Sequence, residues 1–342
     1  MPNASAGKAG PVAVKRMRGW RGLGWFWLVV AAVVALAAVT AKLLPEPDTA
    51  PGMAPSPASA VDLGPVPPAA PPLGHVTAAP DAELLEAGPH GAVPRIAVNG
   101  RTSMRAYAHR PEDPPSQRPR IAMILGGVGL NPGIAEQAVQ QLPPAVVLAI
   151  NPYSQRLPAL LAQARSRGFE MLVALPMESR GHPQNDVGDR ALLTTLDPAA
   201  NRDRLLWVLG RFQGYVGALG ALGPLRGERF AALSEPFWAM QDSLRARGLL
   251  YVDARPGVPH PERAWGRTID IVIDEPADRG TIDLNLAALE RMARERGVAL
   301  GLGSDITPIL IERITRWAAG LEGRGVMLAP ISSMLQRPVA QP

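Results

Sequence analysis

From Arg120 onward, short apolar runs alternate with helical patterns, and this alternation restricts the fold more than any other feature of the chain. Strands are predicted at Ile121 to Leu125, Val146 to Ile150, Met171 to Leu175, Tyr215 to Leu219, Leu249 to Asp253, Ile269 to Asp274, Val298 to Leu302 and Val326 to Ile331. Helices are predicted between them, from about Pro132, Leu157, Pro198, Pro236, Ile282 and Pro308. Asn131 and Asp197 each precede a proline and read as N-caps with proline at the first helical position. Gly168, Gly248 and Gly297 follow arginines and read as helix stops. Strands that alternate with helices imply an α/β protein with a parallel sheet. Either a closed barrel or an open doubly wound sheet satisfies the pattern, and both place function at the C-terminal strand ends.

The region before Arg120 has a different texture. Gly22 to Leu44 is almost wholly apolar and carries no charge from Leu23 to Ala41. About 20 such residues span a bilayer core. Trp20, Trp25 and Trp27 sit at one end, and five basic residues precede the run (Lys8, Lys15, Arg16, Arg18 and Arg21). The positive-inside rule then leaves the N-terminus in the cytoplasm and sends the remainder to the periplasm. A cleaved signal peptide ending near Val39-Thr40-Ala41 is the rival, but the apolar run exceeds a normal signal core of about 7–15 residues. The expected layout is a basic tail (1–22), a transmembrane anchor (23–44), a linker (45–119) and a folded domain (120–336). The linker is rich in proline and alanine and should be extended and disordered. Within it, Arg95 to Val98 and Met104 to Tyr107 are the pieces able to form an arm packed on the domain.

Composition removes several function classes. There is no cysteine, so thiol nucleophiles, disulfides and Cys-ligated metals are excluded. All lysines precede position 43, which excludes a phosphate-loop or Schiff-base lysine from the domain. The net charge of +5 resides entirely in residues 1–22, so no nucleic-acid-binding face is implied beyond them.

Motifs read from the residues are sparse. Gly127, Gly129 and Gly133 loosely match a dinucleotide fingerprint, yet Asn151-Pro152-Tyr153 stands where an acid is needed. A tight glycine turn is the better reading. His182 and His260 are the only histidines of the domain, both flanked by proline. With Asp186 and Asp253 they form the one conceivable zinc set, although spacing does not require it. Asp253, Asp270, Asp274 and Asp305 are candidates for acid–base chemistry or, more simply, for capping turns. Serine hydrolysis lacks a Gly-x-Ser-x-Gly elbow.

The order of phrases is more informative than any one of them. Arg120 to Leu125 followed by Gly-Gly-Val-Gly-Leu, then Leu175-Pro176-Met177-Glu178, Asn185-Asp186 with Gly188, Ala191 to Thr194, Gly214 to Gly217 and Gly248 to Asp253 together resemble the divergent polysaccharide deacetylase family. The likeness runs from Arg120 to about Leu335. It implies a distorted (β/α)7-type barrel, which in the wider superfamily removes acetyl groups from amino-sugar polymers with a divalent metal. It also implies ligands that this chain lacks. Gly126 and Gly127 replace two adjacent aspartates, Ala221 and its neighbours replace a histidine phrase, and Leu302 and Ser304 replace a terminal histidine pair. What survives is Glu178, Asn185, Asp186, Asp253, Arg255 and Asp274, which are expected to bind sugar hydroxyls, with Tyr153 or Trp265 as a stacking surface. The expectation is therefore a membrane-anchored envelope protein without cofactor, whose domain binds a glycan or an envelope protein. The alternative is a working zinc deacetylase with a site rebuilt from His182, Asp186, Asp253 and His260.

Overall fold

The computed structural model describes residues 79–109 and 117–338. The basic tail, the anchor and the linker up to residue 78 lie outside the described residues. Among the described residues no helix is long and apolar enough to cross a membrane.

The alternation from Arg120 onward forms a parallel sheet. Its strands are β3 (Arg120–Val128), β4 (Val147–Ile150), β5 (Met171–Ala174), β6 (Gly217–Leu219), β7 (Leu250–Asp253), β8 (Gly266–Thr268), β9 (Ile271–Val272) and β10 (Val298–Gly303). Their spatial order is β8-β7-β6-β5-β4-β3-β10-β9, with every neighbouring pair parallel. The short strand β11 (Met327–Leu328) pairs with the start of β3, below the point at which β4 joins it. The two ends of this order are the same piece of chain. The Ile269 N–H donates to Asp253 O at 3.0 Å, while the next N–H, of Asp270, donates to Leu300 O at 2.8 Å. One bent segment thus bonds first to β7 and then to β10, and the sheet curls round as a barrel. The apolar run Ile269 to Asp274 predicted a single strand, whereas the chain turns at Ile269-Asp270 to serve both neighbours.

Among the described residues, six helices of ten or more residues lie outside the sheet: α2 (Pro132–Gln141), α3 (Leu157–Ser166), α4 (Pro198–Leu209), α6 (Ser234–Ala246), α7 (Arg279–Arg296) and α8 (Pro308–Ala319). The N-caps work as the sequence implies. Asn131 Oδ1 accepts from Ile134 N–H, and Asp197 Oδ1 from Ala200 N–H. Single-turn helices α1 (Ser103–Ala106) and α5 (Glu228–Ala231) complete the set and carry no amphipathic signal.

Side chains alternate across the strands and so divide the core into two layers. Ile121, Met123 and Leu125 pack outward beneath the helices with Leu148, Ile150, Met171 and Val173. Ala122 and Ile124 belong instead to the inner layer, with Val147, Ala149, Leu172, Leu250, Val252, Leu300 and Leu302. The strand residues of the inner layer are small or branched apolar side chains.

The linker expectation does not hold for residues 79–109. They form a hairpin of β1 (Leu85–Gly88) and β2 (Gly91–Pro94) followed by α1. Leu84, Ala97, Met104 and Tyr107 join the inner apolar layer, so the arm contributes to the core. It does so at the N-terminal end of the barrel. Met104 N–H donates to Gly248 O, just before β7, and His109 N–H donates to the carboxylate of Glu170, just before β5. Glu170 also accepts from Ser332 N–H and Oγ–H, and thereby ties both ends of the domain together. Burial pushes its pKa up. Ala97, Met104 and Tyr107 fall in the two pieces named as able to form an arm, whereas the proline-rich composition masked the hairpin before them, whose apolar residues are few and widely spaced.

Candidate functional site

The opposite, C-terminal strand ends gather four groups of polar side chains. After β5, Glu178 is 1% exposed and accepts from Thr194 N–H at 2.5 Å and Thr194 Oγ–H at 2.6 Å. Arg229 closes on its other oxygen at 3.1 Å. Burial alone would raise the Glu178 pKa, but these donors outweigh it and hold the carboxyl below its ordinary value. At the end of β7, Asp253 is 2% exposed and takes a two-pronged contact from Arg255, Nε to Oδ1 at 2.9 Å and Nη2 to Oδ2 at 2.7 Å. The Arg255 guanidinium lies 5.2 Å from the Phe237 ring centroid.

After β9 and β10 the loops interlock. Asp274 accepts from Ser304 N–H at 2.8 Å and Asp305 N–H at 3.2 Å. Burial raises its pKa, against the pull of those two N–H groups. Ser304 Oγ–H donates to Glu275 at 2.8 Å, and Arg226 reaches both Glu275 and Ser304 Oγ. The result is a pinned loop, Gly303-Ser304-Asp305, laid directly over the end of β3. A Cβ added to Gly126 would stand 2.5 Å from the Ser304 carbonyl oxygen. Gly127 adopts φ +69°, and a Cβ there would strike the Asp305 carboxylate. The two glycines are what lets the loop descend this far.

These contacts revise the expected roles. Asp253 and Arg255 satisfy each other, and Asp274 accepts from the Ser304 and Asp305 backbone, so all three position the loops. Asn185 and Asp186 are exposed, and Asp186 Oδ1 accepts from Gly188 N–H in a local turn. Tyr153 is half-buried against Trp207, with ring centroids 5.5 Å apart, and its hydroxyl accepts from Arg190 N–H. Trp265 precedes β8 and therefore lies at the other end of the barrel. Neither ring forms an open stacking surface at the strand ends. Sequence reasoning missed Thr194, Arg226 and Glu275 as partners. Each is an ordinary polar residue in a loop, and only the fold gives it one.

The rebuilt zinc set does not assemble. His260 Nδ1 accepts from Thr268 N–H at 3.1 Å, and its pKa is lowered by burial and then by the nearby Arg267 charge. Asp253 is committed to Arg255, and Asp186 to its own turn. Among the described residues no group of three or more His, Asp or Glu side chains is placed to hold a metal ion. At the other expected ligand positions, Ala221 and Leu302 are buried members of the inner apolar layer. The residues present do not fit the divalent metal that the resemblance implies.

Comparison with known proteins follows the same lines. The chain matches an uncharacterized protein from Agrobacterium tumefaciens C58 with a TM-score of 0.66 and 26% identity, covering 71% of this chain and 99% of that one. The catalytic domain of a peptidoglycan N-acetylglucosamine deacetylase from Eubacterium rectale ATCC 33656 matches with a TM-score of 0.43 and 12% identity, covering 67% of this chain and 94% of that one. A family 4 carbohydrate esterase from Streptomyces lividans matches with a TM-score of 0.39 and 16% identity, covering 64% and 96%. No curated protein matches. The sequence profile of the divergent polysaccharide deacetylases covers residues 123–335, well over half of the chain. The chain therefore belongs to the divergent polysaccharide deacetylase family.

Proposed function

We propose that this chain is a membrane-tethered envelope protein whose deacetylase-type barrel binds a cell-envelope glycan without cleaving acetyl groups from it. The observation that carries the loss of catalysis is the Ser304 carbonyl seated over Gly126, at 2.5 Å from where a side chain would begin. Space for a carboxylate is gone along with the carboxylate itself. A glycine supplies neither a metal ligand nor a proton acceptor, and water without a metal stays far from a pKa of about 7. Contact with a sugar then falls to exposed groups on the mouth loops, namely Arg180, Asn185, Asp186 and Arg229. Membrane attachment rests on the uncharged run from Leu23 to Ala41 and the basic residues before it.

The full chain is expected to bind no stoichiometric zinc and to release no acetate above background from N-acetylated amino-sugar oligomers. It should retain those oligomers in a pull-down that weakens when Arg229 and Asp186 are replaced by alanine. A reporter fused after Pro342 should work only if it is of a kind active outside the cytoplasm. Metal-dependent acetate release that disappears in His182→Ala and His260→Ala variants would defeat this reading, and a cytoplasmically active fusion would defeat its topology.

A further inference from the structure

At the barrel mouth the buried Ser179 Oγ and His182 Nδ1 have no hydrogen-bond partner, and such groups occur elsewhere too. On the flank of the barrel, a groove of about 700 Å³ runs beside α3 and the Arg211-Phe212-Gln213 turn. Two of the residues lining it are at least nine-tenths buried and have unpartnered polar atoms: Ser154, through Oγ, and Arg165, through Nε and Nη2. Buried polar atoms without partners are rare in folded proteins, because each costs about 1–3 kcal/mol in lost hydration. Two such side chains in one groove are a specific arrangement.

Arg165 is the more informative. Nη1 donates to Tyr107 O at 3.3 Å, and the guanidinium lies 4.8 Å from the Tyr107 ring centroid. No carboxylate pairs with it. The nearby Glu170 gives its oxygens to His109 and Ser332 instead. Burial lowers the Arg165 pKa to about 10, so it stays charged at neutral pH. No Asp or Glu lines the groove. A second cation, Arg211, stands exposed at its edge, with Nε bound to Pro152 O and its plane over Trp207. Between the two polar ends the walls are apolar: Leu157, Leu161, Met171 and Phe212. Residues 157 and 165 are separated by roughly 12 Å along the helix at 1.5 Å per residue.

We propose that this groove is a binding site for an amphiphilic monocarboxylate, its carboxylate meeting the buried, unpartnered edge of Arg165 and its apolar body lying along α3 towards Ser154. Nε and one Nη of a guanidinium form the fork that a carboxylate accepts in two parallel bonds. The volume lies within the range of small-molecule sites, which are mostly apolar with a few placed polar groups. The site is separate from the barrel mouth and does not depend on what the mouth binds.

The test uses the full chain and a decanoate carrying a photoreactive diazirine. Crosslinks should map to peptides of α3 and of residues 211–213. Excess decanoate should suppress them, and excess decanol should not. Arg165→Met keeps an apolar side chain of similar length and removes the buried charge, so its melting temperature should hold while labelling falls at least tenfold. Leu161→Trp leaves Arg165 in place and fills the groove from its half-exposed side, and it should also abolish labelling. Labelling elsewhere, equal suppression by decanol, or undiminished labelling in both variants would each overturn the proposal.

Discussion

A chain that begins at Gln117 is expected not to fold cooperatively, whereas one that begins at Ala79 should. The difference is the arm. Leu84, Met104 and Tyr107 are all buried in the inner layer at the N-terminal end of the barrel. Losing a buried side chain of this size costs about 2–5 kcal/mol. Three together, about 6–15 kcal/mol, are as large as the net stability of a typical domain, about 5–15 kcal/mol. Removal also strips the His109 N–H from the buried Glu170 carboxyl. Circular dichroism melts of the two fragments decide the matter. A fragment from 117 that melts cooperatively within a few degrees of the longer one would show that the arm is only an appendage.

Restoring side chains to the end of β3 should damage the protein without reviving chemistry. Gly126→Ala drives a methyl against the Ser304 carbonyl, and Ser304 cannot retreat while Asp274 holds its N–H. Overpacking of this kind costs about 1–3 kcal/mol. Gly127→Asp adds left-handed strain of about 1–3 kcal/mol and sets a second carboxylate beside Asp305. The double variant Gly126→Asp/Gly127→Asp is therefore expected to lose several kcal/mol, seen as a fall of roughly 10 °C or more in melting temperature at about 2–4 °C per kcal/mol. It should take up no zinc. A double variant as stable as the parent and holding one zinc would mean that the 303–305 loop moves aside readily, and that the glycines alone had removed the site.

Much of the fold was legible because periodicity reports burial directly. Helix α2 starts at Pro132 as its cap and proline imply, and α3, α4 and α8 start at Leu157, Pro198 and Pro308 as expected. The failures have particular causes. Gly266-Arg267-Thr268 carries no apolar alternation, yet it pairs with β7 because the barrel needs something there. The predicted strand from Val326 to Ile331 shrinks to Met327–Leu328, since Pro330 ends the pairing and the chain turns into the short helical turn that follows. At the strand ends, sequence identified which residues stand there but not what they do. Asp253 and Asp274 resemble ligands in a linear reading. Packing favours the simpler turn-capping reading, for Arg255 and the Ser304-Asp305 backbone have already claimed their oxygens.

The bent segment from Gly266 to Ile273 has a bearing on what this domain can associate with. An open sheet ends in unsatisfied N–H and C=O groups, and such a margin invites a foreign strand to extend the ladder. Here one stretch of the molecule's own backbone bonds to β7 and then to β10, and so covers part of both margins. Over that stretch a foreign strand finds no ladder to extend, and a partner must approach through side chains, on the loops or in the valleys between the helices.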